Sequence, residues 1–343
     1  YQSGAEDLVQ LELAKIGHTK IKYIINTHND WDHTLGNAGL GKDATIICHE
    51  NCKKILEKGR NQDHLPDMTF DEEMTIQFNG EKIRMIYLPG HTDNDIVVLF
   101  KNADIAFLGD LAFSNSFPVI HGHGNLDLLL KTLATMERIF TSKTLLLVSH
   151  GEETNLAQLK VYRKMIVETS KIVKSKIVAG YTPEKSKAED ILKAYTKWNS
   201  KVFDTVNKED WIDSLYQLTE EGKQRSAARK IRKAMDDKGL DVAKQVFRKL
   251  KKSRRHFFIE GEFNALGYDL LRTGKIKKSL FIFRMNIQLF PKSWNAYDSL
   301  GEACLATGDK AGSKKYYGIS VKLNPGNSYG LKVLKELAEA PKK

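Results

Sequence analysis

Thr27-His-Asn-Asp-Trp-Asp-His33 is the stretch on which the reading of this chain turns. Four of its seven side chains, His28, Asp30, Asp32 and His33, are metal-ligating types at spacings of one and two. They follow Ile21-Lys-Tyr-Ile-Ile-Asn26, whose β-branched and aromatic content predicts a buried strand. Alternation along an extended tail sends His28, Asp30 and Asp32 to one side, and His33 turns away at the start of the next element. A lone histidine after a strand is ordinarily a hydrogen-bonded loop residue, and an acidic loop is ordinarily just solvated. Imidazoles and hard carboxylates gathered behind a hydrophobic strand differ, because together they can serve two metal ions.

Three further segments repeat the layout of a strand running into a ligand-type residue. Ile83-Arg-Met-Ile-Tyr-Leu-Pro-Gly90 precedes His91-Thr-Asp-Asn-Asp95, Asp104-Ile-Ala-Phe-Leu-Gly109 ends in Asp110, and Leu145-Leu-Leu-Val-Ser149 ends in His150-Gly151. Gly90, Gly109 and Gly151 each flank a candidate ligand, where a residue without Cβ lets backbone and metal approach. Ligands from separate strand ends converging on one edge are how an α/β scaffold builds a metal site.

The ordered set THNDWDH, LPGHTDND, LGD and SHG resembles the metallo-β-lactamase fold superfamily of dinuclear metal hydrolases. The likeness runs from residue 21 to about 165, and includes His49-Glu-Asn51 and Asp67-Met-Thr-Phe-Asp-Glu-Glu-Met74. It implies an α/β fold, the αββα sandwich. It also implies a first metal held by His28, Asp30 and His91, a second held by Asp32, His33 and His150, and Asp110 bridging them. The implied chemistry is hydrolysis by a hydroxide between the two ions, formed because coordination lowers the pKa of water to about 7, with Asp32 orienting it as the catalytic residue. No Ser-His-Asp set is needed, and no nucleophile elbow is present in the sequence.

One departure matters. The family pattern has a second histidine where Asp30 stands, and a carboxylate there suits zinc but also harder metals such as iron or manganese. Two divalent ions, zinc first, are therefore expected beside three carboxylates, with a more basic hydroxide and weaker Lewis acids. Ser149, where the family often has glycine, is a smaller change. The bridging aspartate, in place of cysteine, points away from the best-known antibiotic-degrading enzymes and towards glyoxalase- and esterase-like relatives. The reading placed first is a hydrolase of a small-molecule ester, thioester, lactam or sulfate bond. Its alternatives are a β-lactamase-type antibiotic hydrolase, an RNA- or DNA-processing nuclease, and a binding protein that has lost turnover. Of the other histidines, His18, His64 and His256 read as surface or helix-end residues, and His121 and His123 as lining or covering the pocket.

At 343 residues the chain supports two domains. Its apolar runs fall far short of a membrane span. Three cysteines, Cys48, Cys52 and Cys304, cannot form a disulfide framework, and the first two read as packing residues at a strand-to-helix junction. One short helix (about 4 to 16) precedes the motif strand where the resembling family has several strands. The expectation is a processed or truncated chain, cytoplasmic or exported, lacking part of the first sheet.

Beyond His150 the pattern turns helical. Residues 156–179 carry apolar side chains at helical spacing, from Leu159 to Ile177, and end at Gly180, a C-terminal cap. Trp198, Phe203, Trp211 and Tyr216 read as packing residues, one of which can reach the site mouth. Further on, Leu266-Gly267 recurs as Leu300-Gly301, Gly274 as Gly308, Phe283 as Tyr317 and Pro291 as Pro325, each 34 residues apart, the tetratricopeptide period. Such repeats suit a protein partner, a homodimer or a helical buttress, and residues 226–252 supply a degenerate third hairpin. The expected division is a hydrolase domain at 1–180, a helical linker at 181–255 and a repeat region at 256–343. The net charge of +11 is concentrated between Lys223 and Arg255; such a face can bind nucleic acid or an anionic membrane, but is ordinarily solvated.

Overall fold

The computed structural model describes residues 5–18, 20–58, 65–120, 124–201, 206–253 and 255–339. Among these, β1 (Tyr23–Ile25), β2 (Thr45–His49) and β3 (Met68–Phe70) form an all-parallel sheet in that order. A second sheet runs β4 (Glu73–Phe78), β5 (Glu81–Tyr87), β6 (Ile96–Phe100), β7 (Ile105–Phe107) and β8 (Leu145–Leu147), antiparallel except for the β7–β8 pair. Asn79 and Gly80 join β4 to β5 with φ of 51° and 76°, the mirror-image turn that matches strand twist and favours Asn-Gly. Ile47 and Phe70 from the first sheet meet Ile83, Met85, Ile96 and Val98 from the second in one buried cluster. Burying each such side chain stabilises by about 1.5–3 kcal/mol, so the two sheets are fixed face to face.

The helices of this part are α1 (Ala5–Lys15), α2 (Trp31–Thr34), α3 (Gly36–Leu40), α4 (Glu50–Leu56), α5 (Leu126–Ile139) and α6 (Leu156–Val178), followed by α7 (Pro183–Ala188), a 3-10 turn at Lys193–Trp198 and α8 (Lys208–Leu218). In α5, Leu126, Leu129, Leu133 and Met136 are buried at helical spacing, and the Asn125 side chain caps the helix by accepting from the amides of Asp127 and Leu128. No helix of the described residues is long and apolar enough to cross a membrane.

The chain divides into two compact units, Tyr1–Ser175 with Glu189–Leu218, and Lys176–Ala188 with Thr219–Lys343. Within 181–255, residues 189–218 group with the first unit and the remainder with the second. The aromatic residues explain the first share: Trp211 is fully buried, donates its indole N–H to Thr169 Oγ1 at 2.9 Å, and lies 6.3 Å from the Phe117 ring.

The second unit is all-α, with α7 and then α9 (Glu220–Lys223), α10 (Ala227–Lys238), α11 (Leu240–Lys251), α12 (Glu260–Arg272), α13 (Ile276–Leu289), α14 (Trp294–Ala306), α15 (Lys310–Leu323) and α16 (Ser328–Glu339). Helices α12, α14 and α16 begin 34 residues apart, and so do α13 and α15. A Cβ on Gly267 would come within 2.6 Å of the Phe283 ring, and one on Gly301 within 3.0 Å of the Tyr317 ring. The glycines thus let the aromatic residue of the following helix close each hairpin. Ile231, Met235, Phe247 and Leu250 of α10 and α11 share a core with Phe263, Leu270, Ile282 and Met285 of α12 and α13. The basic helices spend much of their charge locally, since Arg232 pairs with Asp236 and Asp269, Lys233 with Asp237 and Lys244 with Asp241.

Candidate metal centre

The carboxyl ends of β1, β5, β7 and β8 bring His28, Asp30, Asp32, His33, His91, Asp110 and His150 together. Three ligand sets have donor atoms all within 4.8 Å of one another: His28, Asp30 and His91; Asp32, His33 and His150; and His28, His33 and Asp110. In the first set, Asp30 Oδ2 lies 3.3 Å from His28 Nε2 and 3.1 Å from His91 Nε2. In the second, Asp32 Oδ2 lies 3.5 Å from His33 Nε2 and 3.3 Å from His150 Nε2. Asp110 stands between the sets, 3.4 Å from His33, 3.5 Å from His150 and 3.9 Å from His91.

Expected alternation explains only part of this placement. Asp30 ends the extended tail (φ −63°, ψ 150°) and serves as N-cap of α2, so Asp32 and His33 leave from a helical turn and not from alternate extended positions. The glycines also make room for protein atoms. A Cβ on Gly90 would meet the Leu129 backbone at 2.8 Å, and one on Gly109 (φ +56°) would meet Thr27 at 3.0 Å. They let protein segments pack behind the ligands; their crowding neighbours are protein atoms.

The donor set fits divalent cations. Ligands about 2.0–2.2 Å from a tetrahedral ion lie roughly 3.3–3.6 Å apart, close to the 3.1–3.5 Å found within the two sets. Among the described residues, His28 Nε2, His33 Nε2 and Asp110 Oδ1 are buried with no hydrogen-bond partner, an arrangement costly to fold unless a cation answers them. Side-chain exposure is 0% at His28, 1% at His91, 7% at Asp110 and 10% at His33, against 16% at Asp30, 21% at Asp32 and 22% at His150. The cluster therefore opens on the Asp32 and His150 side.

Its electrostatics are those of a tightly coupled cage. Burial, reinforced by the neighbouring His28, pushes His33 down to about 4. Burial opposes protonation of His91 too, but the Asp30 hydrogen bond and the charges of Asp95 and Asp110 raise it to about 9. For Asp110 burial is likewise overcome, by the His150 hydrogen bond and nearby imidazoles, and its carboxyl falls to about 2. His150 is raised chiefly by its hydrogen bond to Asp110.

Asparagines that the spacing gave no reason to single out hold the ligand loops. The Asn26 and Asn37 carboxamides pair in both directions at 3.0 Å, and Asn26 Nδ2 also donates to the His33 carbonyl at 2.9 Å. Asn94, fully buried, accepts from the Asn29 amide at 2.9 Å and donates to Asn29 Oδ1 at 2.6 Å, tying the first ligand loop to the second. His91 Nδ1 is held by the Val119 carbonyl at 2.8 Å. Asp95, buried, accepts from the amides of Gly90 and Thr92. His49 is structural: it stacks 3.9 Å from Tyr87, and its ring nitrogens engage the Asp71 carbonyl and the Asn51 amide. Cys48 and Cys52 are free and buried. His18 is exposed and His256 lies against Ser253, while His64, His121 and His123 lie outside the described residues.

A cavity of about 560 Å³ adjoins the open side, lined by Phe113, Gly151, Leu159, Tyr162, Lys197 and Trp198 among others. Phe113 connects it to the cluster, stacking 5.8 Å from the His150 ring.

The sequence model of the Metallo-beta-lactamase superfamily matches residues 2–151. A hydroxyacylglutathione hydrolase of Gloeobacter violaceus is 32% identical over 111 residues, 32% of this chain and 39% of that one. One from Pelagibacter ubique is 30% identical over 99 residues, 27% and 37% of the two chains. The chain thus spans under two fifths of the length of these relatives. Among solved structures, a metallo-beta-lactamase from Pontibacter korlensis aligns with TM-score 0.42 and 17% identity over 48% of this chain and 78% of that one. ETHE1 from Myxococcus xanthus aligns with TM-score 0.37 and 18% identity, covering 48% and 70%. Residues 2–151 are a metallo-beta-lactamase superfamily domain, continued here by an all-α region.

Proposed function

We propose that this protein is a metal-dependent hydrolase of small-molecule substrates, with thioesters and esters as the first class to test. The observation that carries the reading is the convergence of seven ligand side chains on an edge that opens beside a 560 Å³ cavity. In this reading His28, Asp30 and His91 would hold one divalent cation and Asp32, His33 and His150 another, with Asp110 placed between the two sets. Bound there, the cations would polarise a scissile carbonyl and acidify water. Asp32, on the exposed side and beside His150, would contribute Oδ2 to the cation and leave its other carboxylate oxygen to orient a water molecule and accept its proton. Asp110 and the buried imidazoles keep the donor atoms fixed, and Phe113 and Trp198 present apolar surface to the substrate beyond the reacting bond. Lys197 and Lys201 outnumber Glu152 in the same lining, which favours a substrate bearing an anionic group.

Likeness to hydroxyacylglutathione hydrolases supports thioesters over lactams, phosphodiesters and alkyl sulfates. We read the 34-residue hairpins of the second unit as tetratricopeptide-like repeats that serve a protein partner or a homodimer. The test is turnover of a matched panel (thioester, ester, lactone, lactam, phosphodiester, alkyl sulfate) by protein reconstituted with zinc, iron or manganese. Thioester or ester hydrolysis that disappears in Asp110→Ala supports the reading. Phosphodiester cleavage alone, or no turnover with any metal, would sink it.

A further inference from the structure

Thr27 occupies an unusual place between the two ligand sets. It is 4% exposed, and its Oγ1 lies 3.1 Å from His28 Nδ1 and 3.2 Å from His33 Nδ1. His28 belongs to one set and His33 to the other. Among the described residues these two imidazoles have buried Nε2 atoms without a hydrogen-bond partner. The two observations are linked by tautomer chemistry. A neutral imidazole that ligates through Nε2 carries its proton on Nδ1 and needs an acceptor there. A threonine hydroxyl has two lone pairs and can accept from two such N–H groups at once. Gly109 is packed against Thr27, where a Cβ would lie 3.0 Å from Thr27 Cβ and 3.1 Å from its Oγ1, so only a residue without Cβ leaves the hydroxyl its place beside both rings.

We propose that Thr27 is a positioning residue shared by both metal sites, its single hydroxyl accepting the Nδ1–H of one histidine from each site and turning both Nε2 lone pairs inward. The inference rests on the metal-centre reading given above. It has a consequence that neither site alone would show. Were the hydroxyl instead to donate to either ring, that ring would carry its proton on Nε2 and could not ligate. The orientation of one O–H group therefore governs both sites, and its removal loosens both together. Outer supports of this kind typically change metal affinity by roughly 10–100-fold when lost.

The test compares wild type, Thr27→Val, Thr27→Ser and Thr27→Ala in the full chain. Zinc affinity is measured by competition with a chromogenic chelator, and histidine tautomers by long-range ¹H–¹⁵N correlation on the zinc-loaded proteins. Thr27→Val keeps the shape and loses the acceptor; Thr27→Ser keeps the acceptor and loses the methyl. The expected result is a roughly 10–100-fold loss of affinity for both ions in Thr27→Val and Thr27→Ala, with Thr27→Ser close to wild type. The Nδ1–H signals of His28 and His33 should both shift in Thr27→Val and stay in Thr27→Ser. Equal affinities in Thr27→Ser and Thr27→Ala, or wild-type Nδ1–H signals in Thr27→Val, would overturn the proposal while leaving the metal centre standing. A wild type that binds no zinc would instead remove the reading on which it rests.

Discussion

Replacing Asn94 by alanine removes a brace between the loop bearing His28 to His33 and the loop bearing His91, without changing a candidate ligand. Asn94 is fully buried, and its carboxamide accepts from the Asn29 amide at 2.9 Å and donates to Asn29 Oδ1 at 2.6 Å. Each hydrogen bond contributes about 1 kcal/mol net, and stranding a fully buried amide would cost about 1–3 kcal/mol. Asn29 is partly open, so water recovers some of its oxygen's loss, and the sum comes to roughly 2–3 kcal/mol. At 1.4 kcal/mol per factor of ten, local opening should become roughly 30- to 150-fold more frequent. Hydrogen–deuterium exchange of peptides covering residues 27–35 and 88–97 reads this directly, with the β4–β5 turn as internal control. Asn94→Asp keeps the acceptor and loses the donor, and should fall between alanine and wild type. Less than threefold faster exchange in Asn94→Ala would refute the claim that this amide pair braces the site.

Three further outcomes follow from the same structure. Asp30→His replaces a carboxylate by an imidazole and should shift the retained metal towards zinc in elemental analysis after mixed-metal growth; unchanged composition and turnover would argue that Asp30 is no ligand. Gly267→Ala should destabilise the second unit more than Gly301→Ala, because the new Cβ meets the Phe283 ring at 2.6 Å but the Tyr317 ring at 3.0 Å. Overpacking of about 1–3 kcal/mol is offset by about 1 kcal/mol of helix propensity, and melting curves showing the reverse order would contradict this packing account. Burial raises the Glu262 carboxyl above its ordinary 4.5, against the Ser226 hydroxyl and the Arg229 charge. A folded-state pKa above the unfolded one means stability is fully present below 4.5 and is lost as pH rises through the folded value. Glu262→Gln should therefore melt higher than wild type at pH 7, with the advantage fading below pH 4.5; a pH-independent difference would count against buried charge as the cause.

What was legible in the sequence was chemistry tied to residue type. His28, Asp30, Asp32, His33, His91, Asp110 and His150 are donor-type side chains that follow strands in the sequence, and the structure gathers them into one cluster; the 34-residue offset of Gly267 and Gly301 shows because only glycine fits beneath an aromatic ring. The path of the chain between Asp30 and Asp32 was not legible. Alternation predicts an extended tail, yet Asp30 caps a helix that begins at Trp31. Nor were Asn29 and Asn94, because a hydrogen bond across 65 residues leaves no spacing to read. Trp198 and Trp211 illustrate the same limit: their apolar bulk announces burial, but not that Glu189–Leu218 joins the first unit.

The central claim is that seven side chains of the first unit form one two-cation centre, and metal stoichiometry tests it most directly. Purified full-length chain, reconstituted with zinc and desalted, should retain about two ions per chain by elemental analysis, with the count falling in Asp110→Ala. Fewer than one ion per chain in the wild type would contradict the account.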